Sequence, residues 1–244
     1  MDDLGLTDAD VAAFQRDGYH VHPQLLGDAE VATLREHCMA VLRGDYETRR
    51  PPMSCNPSAE GDPTAPHPGL VCAAPLHQVN NAYWSDATVA RHVTDERIGR
   101  LAATLAGVAG VRLWHDQLLM KPQKSAINEA AAAETNGTED GSVTFHQDYG
   151  YWQCISDQRA LTARIALYDE DEANGCMYVL PGSHAWEEVF VAGRNVFQPP
   201  NPPVEEQFAQ ISQLAGGRSV DPHPLRVKAV SNTSQSAALF PLFL

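Results

Sequence analysis

The sequence predicts an α+β fold in which helices precede a core of short β-strands, arranged as a β-sandwich or jelly roll. Two observations predict it. Apolar residues at helical spacing dominate the first part of the chain, and short β-rich segments separated by turn residues follow them. The length of 244 residues, 43% of them apolar, suits one large β domain or two small ones.

Two helices are predicted near the start of the chain. Thr7 is a suitable N-cap, Asp10 lies at the capping-box position, and Gly18 supplies a left-handed stop. A second helix is expected to begin near Asp28. Its apolar residues recur every three or four positions and should form one buried face: Val31, Leu34, Cys38, Val41 and Leu42.

The next segments alternate between loop and regular structure. Residues 49–75 contain seven prolines, which predicts a long surface loop of the kind that often acts as a lid. One helix is expected from Ser85 to Leu105, and residues 123–142 resemble a polar, glycine-bearing insertion. Strands are expected at residues 111–120, 143–146, 161–168 and 177–180. Asn174-Gly175 between the last two indicates a hairpin-type turn.

Charge and hydropathy narrow the classes of partner. The formal net charge of -14, with no basic patch, disfavours nucleic acid and anionic membrane surfaces. The longest apolar stretch, residues 98–114, is too short to span a bilayer and is interrupted by Arg100 and Arg112. The acidic residues 1–3 lack the features of a signal peptide, so we expect an intracellular, cytoplasmic location.

The cysteines show neither disulfide nor zinc spacing. They are odd in number and form no C-x-x-C pair, which predicts reduced and mostly buried thiols. The five are Cys38, Cys55, Cys72, Cys154 and Cys176.

The most informative chemical pattern is His146-Gln147-Asp148 at the end of an expected strand. Side chains two apart on a strand share a face, so an imidazole and a carboxylate can bind one divalent metal. With one further histidine this is the two-His, one-carboxylate set of non-haem Fe(II) oxygenases. A zinc hydrolase could use the same face, and three residues alone are weak evidence. His115 is more simply interpreted as a core histidine.

Longer segments around this pattern resemble the phytanoyl-CoA dioxygenase family of Fe(II)- and 2-oxoglutarate-dependent oxygenases. Three blocks match in order and spacing: TFHQDYGYW at 144–152, LTARIAL at 161–167 and NGCMYVLPGSH at 174–184. Three shorter segments are also similar: DGYHV at 17–21, WHDQLLMKP at 114–122 and PLRVKA at 224–229. The resemblance covers residues 7–229 and implies one domain over residues 1–244 with a double-stranded β-helix (jelly roll) core.

The resemblance also implies roles for particular residues. His146 and Asp148 would be iron ligands. Gln117 and Arg164 occupy positions whose family counterparts contact 2-oxoglutarate, and Gln78 falls near another such contact. Many family members have an aromatic residue where this chain has Arg164, whose guanidinium can pair with a carboxylate or point elsewhere. The family's Pro-Gly-Ser-His turn serves structure more than the metal.

The sequence departs from the family at its end. The family carries a distal histidine and an arginine that binds 2-oxoglutarate, whereas residues 230–244 contain no His, Arg, Lys, Asp or Glu. The resemblance therefore implies missing C-terminal strands and a metal site short of one ligand, and the tail is consistent with an unspliced intron in the gene model. His223 precedes the strand that should carry the ligand, so its spacing argues against substitution.

The function implied is a dioxygenase that uses Fe(II), 2-oxoglutarate and molecular oxygen to hydroxylate a small organic molecule, impaired in this form. The alternative is a catalytically inactive, truncated jelly-roll protein of the same family.

Overall fold

The computed structural model describes residues 4–23, 25–54, 77–120, 143–148, 160–186, 204–216, 220–227 and 237–241. Helices and strands are mixed as predicted, with the first helices preceding most strands. The helices are α1 (Asp8–Asp17), α2 (Asp28–Arg43), α3 (Ala87–Val93), α4 (Glu96–Ala106) and α5 (Val204–Leu214). The strands are β1 (His20–His22), β2 (Met53–Ser54), β3 (His77–Asn80), β4 (Gln117–Met120), β5 (Leu161–Ile165), β6 (Tyr178–Val179), β7 (His223–Pro224) and β8 (Ala237–Pro241).

The first two helices have the ends and buried face predicted for them. Thr7 and Asp10 form a reciprocal capping box at the start of α1, and Gly18 ends it at φ 79°. The side chains predicted to form the apolar face of α2 are all buried. Both helices are therefore determined by local sequence.

The single helix expected from Ser85 to Leu105 is wrong, because the structure breaks it into α3 and α4. The first ends with Thr94 as its C-cap, and Asp95 caps the second, its carboxylate accepting from the backbone N–H of Arg97 at 2.8 Å. Arg97 also contacts Glu30 of α2 at 2.6 Å and Asp95 at 2.7 Å. These ion pairs join the start of α4 to the start of α2.

Two apolar clusters hold the helices against the strands. One centres on α2 and includes Val79, with Leu118 and Ile165 packed against it. The other joins Phe14 of α1 to Leu101 of α4. Strands β3, β4 and β5 therefore turn one face toward the helices, and their alternate residues point to the opposite face.

The strands form three small sheets within the described residues. Their orders are β1-β8-β5, β2-β3-β4 and β6-β7, and every pairing is antiparallel. Strand β8 comes from the tail and lies between β1 and β5. Most of the 49–75 loop, all of 123–142 and most of the 230–244 tail lie outside the described residues.

Several strand predictions need correction. Regular structure is shorter than expected at β4, β5 and β6, and residues 143–146 are not a continuous strand. Asn174-Gly175 is a turn, with Gly175 at φ 88°, but it does not join a hairpin. Strand β5 pairs with β8, and β6 pairs with β7. Pairing depends on segments distant in sequence, which local patterns do not encode.

Among the residues that the structure describes, no helix is both long and apolar enough to cross a membrane. Cys38 and Cys176 are free and buried, as predicted for the cysteines, and the other three lie outside the described ranges.

Candidate active site

His146 and Asp148 converge, although the segment that carries them is irregular. His146 Nε2 lies 3.2 Å from Asp148 Oδ1, and the two side chains are 23% and 26% exposed. A neutral imidazole nitrogen without a hydrogen and a carboxylate oxygen are both electron-pair donors and repel at this separation. A shared cation, either a proton or a metal ion, is needed to hold them together.

Each of these side chains is oriented by a second contact. His146 Nδ1 lies 2.7 Å from the carbonyl oxygen of Thr144. A carbonyl only accepts, so Nδ1 carries the hydrogen and Nε2 is the nitrogen available to a cation. Asp148 Oδ2 accepts a hydrogen bond from Thr162 Oγ1 at 3.0 Å, which leaves Oδ1 directed at the imidazole.

The same geometry affects the pKa of His146. Burial disfavours the charged imidazolium, but the hydrogen bond to Asp148 and the negative charge of that carboxylate outweigh it and raise the pKa. Asp148 therefore stabilises positive charge at Nε2.

Arg164 lies on the same face of β5 as Thr162, two residues further along the strand. Its guanidinium forms a bidentate pair with Glu170, with separations of 2.7 Å to Oε1 and 2.6 Å to Oε2. The described structure therefore pairs this arginine with an internal carboxylate. A cosubstrate carboxylate would have to compete with Glu170 for it.

Gln78 and Gln117 share one face of the β3–β4 pair. Gln78 is opposite Leu119 and Gln117 is opposite Asn80 in the register, so all four point away from the helices. Gln78 is buried and donates to Asn80 Oδ1 at 3.2 Å, and its own Oε1 has no hydrogen-bond partner within the described ranges. Gln117 is exposed.

His115 precedes strand β4 and is partly buried. It lies two residues before Gln117, and the charge of Asp148 favours its protonation. Burial is the larger effect and lowers the pKa of His115, so its imidazole is biased toward the neutral form. The sequence alone indicated only a core histidine here.

A third ligand does not complete the His146–Asp148 pair in the described part of the chain. No other His, Cys, Asp or Glu atom among those residues lies within 4.8 Å of both ligand atoms. His223 is exposed on β7, with its ring centre 5.8 Å from that of Tyr19.

A second group of possible metal ligands is formed by His37, Glu47 and Asp86, whose ligand atoms lie within 4.8 Å of one another. Asp86 Oδ1 accepts from two backbone N–H groups at the start of α3, and Oδ2 lies 2.7 Å from His37 Nδ1. Glu47 accepts from the N–H of Ala87. These contacts cap α3 and account for the group without a metal, and the positive end of a helix disfavours a cation.

A cavity of about 330 Å³ lies at the end of β3, beside Asn80. Its lining is Asn80, Asn81, Tyr83, Trp84, Trp114 and His115. Of these lining residues, His115 has its protonation favoured by the charge of Asp148.

Comparison with known proteins identifies the family. The model of the phytanoyl-CoA dioxygenase family matches residues 14–202, most of the chain. The chain belongs to the phytanoyl-CoA dioxygenase family. The resemblance seen in the sequence is thereby confirmed. Both His146 and Asp148 lie within the matched range.

A curated relative of this chain is the ectoine dioxygenase of Bordetella parapertussis. It is 24% identical over 177 residues, which is 71% of this chain and 48% of the relative. The chain spans about half the length of the curated relatives it matches.

Solved structures of similar fold include those of EctD and SnoK. EctD from S. alaskensis, solved with 2-oxoglutarate and 5-hydroxyectoine, has a TM-score of 0.61 and 21% identity, covering 100% of this chain and 70% of its own. SnoK, a non-heme alpha ketoglutarate dependent carbocyclase from nogalamycin biosynthesis, has a TM-score of 0.57 and 18% identity, covering 98% and 76%. At these identities the similarity shows a shared fold.

Sequence reasoning missed the residues that orient the pair. Thr144 acts through its backbone carbonyl, which no side-chain pattern reports. Thr162 could have been found, because strand alternation places it on the same face as Arg164. Glu170 carried no sequence signal, since its partner Arg164 was expected to bind the cosubstrate.

Proposed function

We propose that this chain is an Fe(II)- and 2-oxoglutarate-dependent dioxygenase that hydroxylates a small organic molecule with molecular oxygen. The fold proposed is one domain over residues 1–244 with a double-stranded β-helix core. The observation that carries the proposal is the 3.2 Å approach of His146 Nε2 to Asp148 Oδ1 in a member of the phytanoyl-CoA dioxygenase family.

His146 and Asp148 would hold the iron. Their donor atoms suit it, because imidazole and carboxylate are the ligand types of non-haem Fe(II) oxygenases. Thr144 and Thr162 fix these ligands through their second hydrogen-bonding atoms, which keeps Nε2 and Oδ1 aimed at one point. When bound, Fe(II) and 2-oxoglutarate supply the oxidising chemistry, with succinate and carbon dioxide as products.

The cosubstrate is proposed to bind on the polar faces of the strands. Gln78 and Gln117 offer amide donors from one face of β3 and β4. Arg164 offers a guanidinium from β5, which would have to leave Glu170 at least in part. All three point away from the helical layer. They therefore lie on the polar face of the sheets, opposite the face that packs against the apolar clusters.

The substrate is proposed to occupy the cavity of about 330 Å³ beside His115. Two indole rings and a phenol give this cavity flat apolar walls, and two asparagine amides give it polar contacts. Trp114 is 60% exposed, a large apolar surface available to a ligand. A small organic molecule with both a ring and polar groups fits this lining.

One observation favours the alternative of a catalytically inactive family member. Two protein ligands hold iron less firmly than three, and the described residues contain no third ligand near the pair. This alternative predicts weak iron binding and no turnover, even with added cosubstrate.

Anaerobic calorimetry with Fe(II), followed by succinate release in air, tests the proposal. We expect His146→Ala and Asp148→Ala to lose iron binding and succinate formation. The exposed His223 provides a matched control, and His223→Ala should retain both.

The possible outcomes distinguish an active dioxygenase from an inactive family member. Unchanged iron affinity in both ligand variants would refute the site. Iron binding that depends on the pair, without succinate release from the unchanged chain, would support the inactive alternative.

A further inference from the structure

Helix α5 has no part in the site above, yet one of its side chains reaches the segment that carries the proposed iron ligands. Gln207 is 5% exposed, and its Oε1 accepts a hydrogen bond from the backbone N–H of Phe145 at 3.0 Å. Phe145 directly precedes His146 and is 62 residues from Gln207 along the chain. A buried amide side chain thus holds the backbone beside a proposed metal ligand.

The N–H that Gln207 binds belongs to the same peptide unit as the carbonyl that orients His146. This unit joins Thr144 to Phe145, so it carries the carbonyl of the first residue and the N–H of the second. The carbonyl oxygen lies 2.7 Å from His146 Nδ1 and accepts its hydrogen. Because a peptide unit is planar, both hydrogen bonds depend on the orientation of one rigid plane.

The two hydrogen bonds of this peptide unit support each other. In a trans peptide unit the C=O and the N–H point in opposite directions, so a bond to Gln207 on one side sets the direction of the carbonyl on the other. Hydrogen bonds in a chain also polarise one another. Gln207 Oε1 therefore strengthens the acceptor that holds the hydrogen of His146 Nδ1.

Packing fixes helix α5 where Gln207 makes this contact. The ring centres of Phe208 and Phe145 are 5.5 Å apart. Both rings pack against Ile211, which is completely buried. Ile211 lies one helical turn after Gln207, so the two side chains share a face of α5. The amide of Gln207 therefore extends from a well-packed helix.

We propose that Gln207 is a positioning residue for the metal site, which acts on His146 through the peptide unit between Thr144 and Phe145. By holding that unit in one orientation, Gln207 keeps the hydrogen on His146 Nδ1 and leaves Nε2 to a cation. The consequence for iron rests on the proposed function, whereas the consequence for the imidazole tautomer does not.

The tautomer of His146 tests the proposal without a metal. Gln207→Leu removes the acceptor and keeps a side chain of similar size. In ¹⁵N NMR spectra of the neutral imidazole, we expect this change to lower the ratio of the Nδ1–H to the Nε2–H tautomer by at least about 2-fold. Gln207→Glu retains an acceptor oxygen and should restore the ratio. An unchanged ratio in Gln207→Leu would overturn the proposal.

Iron affinity tests the consequence for the site. Loss of a direct partner of a metal-bound histidine typically costs about 10- to 100-fold in metal affinity, and Gln207 acts one hydrogen bond further away. We therefore expect Gln207→Leu to weaken Fe(II) binding about 3- to 10-fold in anaerobic calorimetry, and Gln207→Glu to restore most of it. If His146→Ala loses iron but Gln207→Leu does not, the positioning role is wrong and the proposed function stands. If neither change affects iron binding, the iron site itself is refuted.

Two control changes on α5 separate positioning from a general loss of stability. Gln213 is exposed, so Gln213→Leu makes the same substitution away from the contact to Phe145. Ile211→Val trims the buried face of α5 and keeps the hydrogen bond. It should lower the free energy of unfolding in urea, while both controls keep the Fe(II) affinity and the tautomer ratio. An equal loss of iron affinity in Ile211→Val and Gln207→Leu would overturn the specific role of Gln207.

A further measurement uses the unchanged chain and does not depend on any variant folding. The N–H of Phe145 should exchange with solvent more slowly than that of an unstructured peptide, because its acceptor is a buried side chain. Exchange at the unstructured rate would equally overturn the proposal.

Discussion

Replacing Gly18 by alanine should destabilise the protein through two separate effects. Gly18 has φ 79°, a conformation that costs a residue with a Cβ about 1 to 2 kcal/mol. An added Cβ would also lie 2.7 Å from Cγ of His184, closer than carbon atoms can approach. That ring would have to move away from Gln15, whose carbonyl lies 3.1 Å from His184 Nε2.

The two effects together determine how much the free energy of unfolding should fall. The lost hydrogen bond adds about 0.5 to 1.5 kcal/mol to the conformational cost, so Gly18→Ala should lower the free energy of unfolding by about 1.5 to 3.5 kcal/mol. Urea unfolding followed by circular dichroism measures it. Gly107→Ala is the matched control, because Gly107 has φ 65° but open space where its Cβ would be. It should cost only the conformational part.

A double-mutant cycle isolates the contact between Gly18 and His184. Once His184→Ala has removed the ring and its hydrogen bond, Gly18→Ala no longer meets the three atoms nearest to its added Cβ. The double variant should therefore be about as stable as Gly18→Ala alone. The contact would be refuted if the losses in the free energy of unfolding of the two single variants added fully in the double variant, and if Gly18→Ala and Gly107→Ala caused equal losses.

Three further predictions concern the site and the core. Thr162→Val should weaken Fe(II) binding about 10- to 100-fold in anaerobic calorimetry, because it removes the hydrogen bond that orients Asp148. Thr162→Ser retains the hydroxyl and should retain the Fe(II) affinity. Equal affinities of the valine and serine variants would contradict this prediction. Glu170→Gln should tighten 2-oxoglutarate binding, because it frees Arg164 from its ion pair. An unchanged affinity for 2-oxoglutarate in calorimetry would show that Arg164 does not bind the cosubstrate. Burial raises the pKa of Cys38 from 9.0 to about 12, so the folded thiol stays protonated, and the free energy of unfolding should fall as pH rises above 9.0. Cys38→Ala should reduce that fall in matched urea titrations, whereas a fall of the same size in the variant would contradict the assignment.

The sequence by itself determined features that depend on neighbouring residues. The ends of α1 follow from the Thr7–Asp10 capping box and from Gly18, all within the same twelve residues. The buried face of α2 follows from apolar spacing at the helical period. Family membership followed from ordered blocks around His146, because their spacing is readable without coordinates.

The tertiary structure decided which distant segments meet. The tail strand β8 lies between β1 and β5, and the Asn174-Gly175 turn joins no hairpin, because strand partners are chosen by packing across the whole chain. The ion pair between Arg164 and Glu170 likewise depends on how the chain turns after β5.

The candidate site shows most clearly which features follow from the sequence and which depend on the tertiary structure. The residue types His146 and Asp148 were evident in the sequence, but the strand expected to align them is irregular. Their convergence at 3.2 Å instead follows from hydrogen bonds to Thr144 and Thr162. Thr162 is 14 residues from Asp148, and only folding brings its hydroxyl to that carboxylate. Sequence spacing supplies the ligands, whereas side-chain direction depends on contacts that form after the chain has folded.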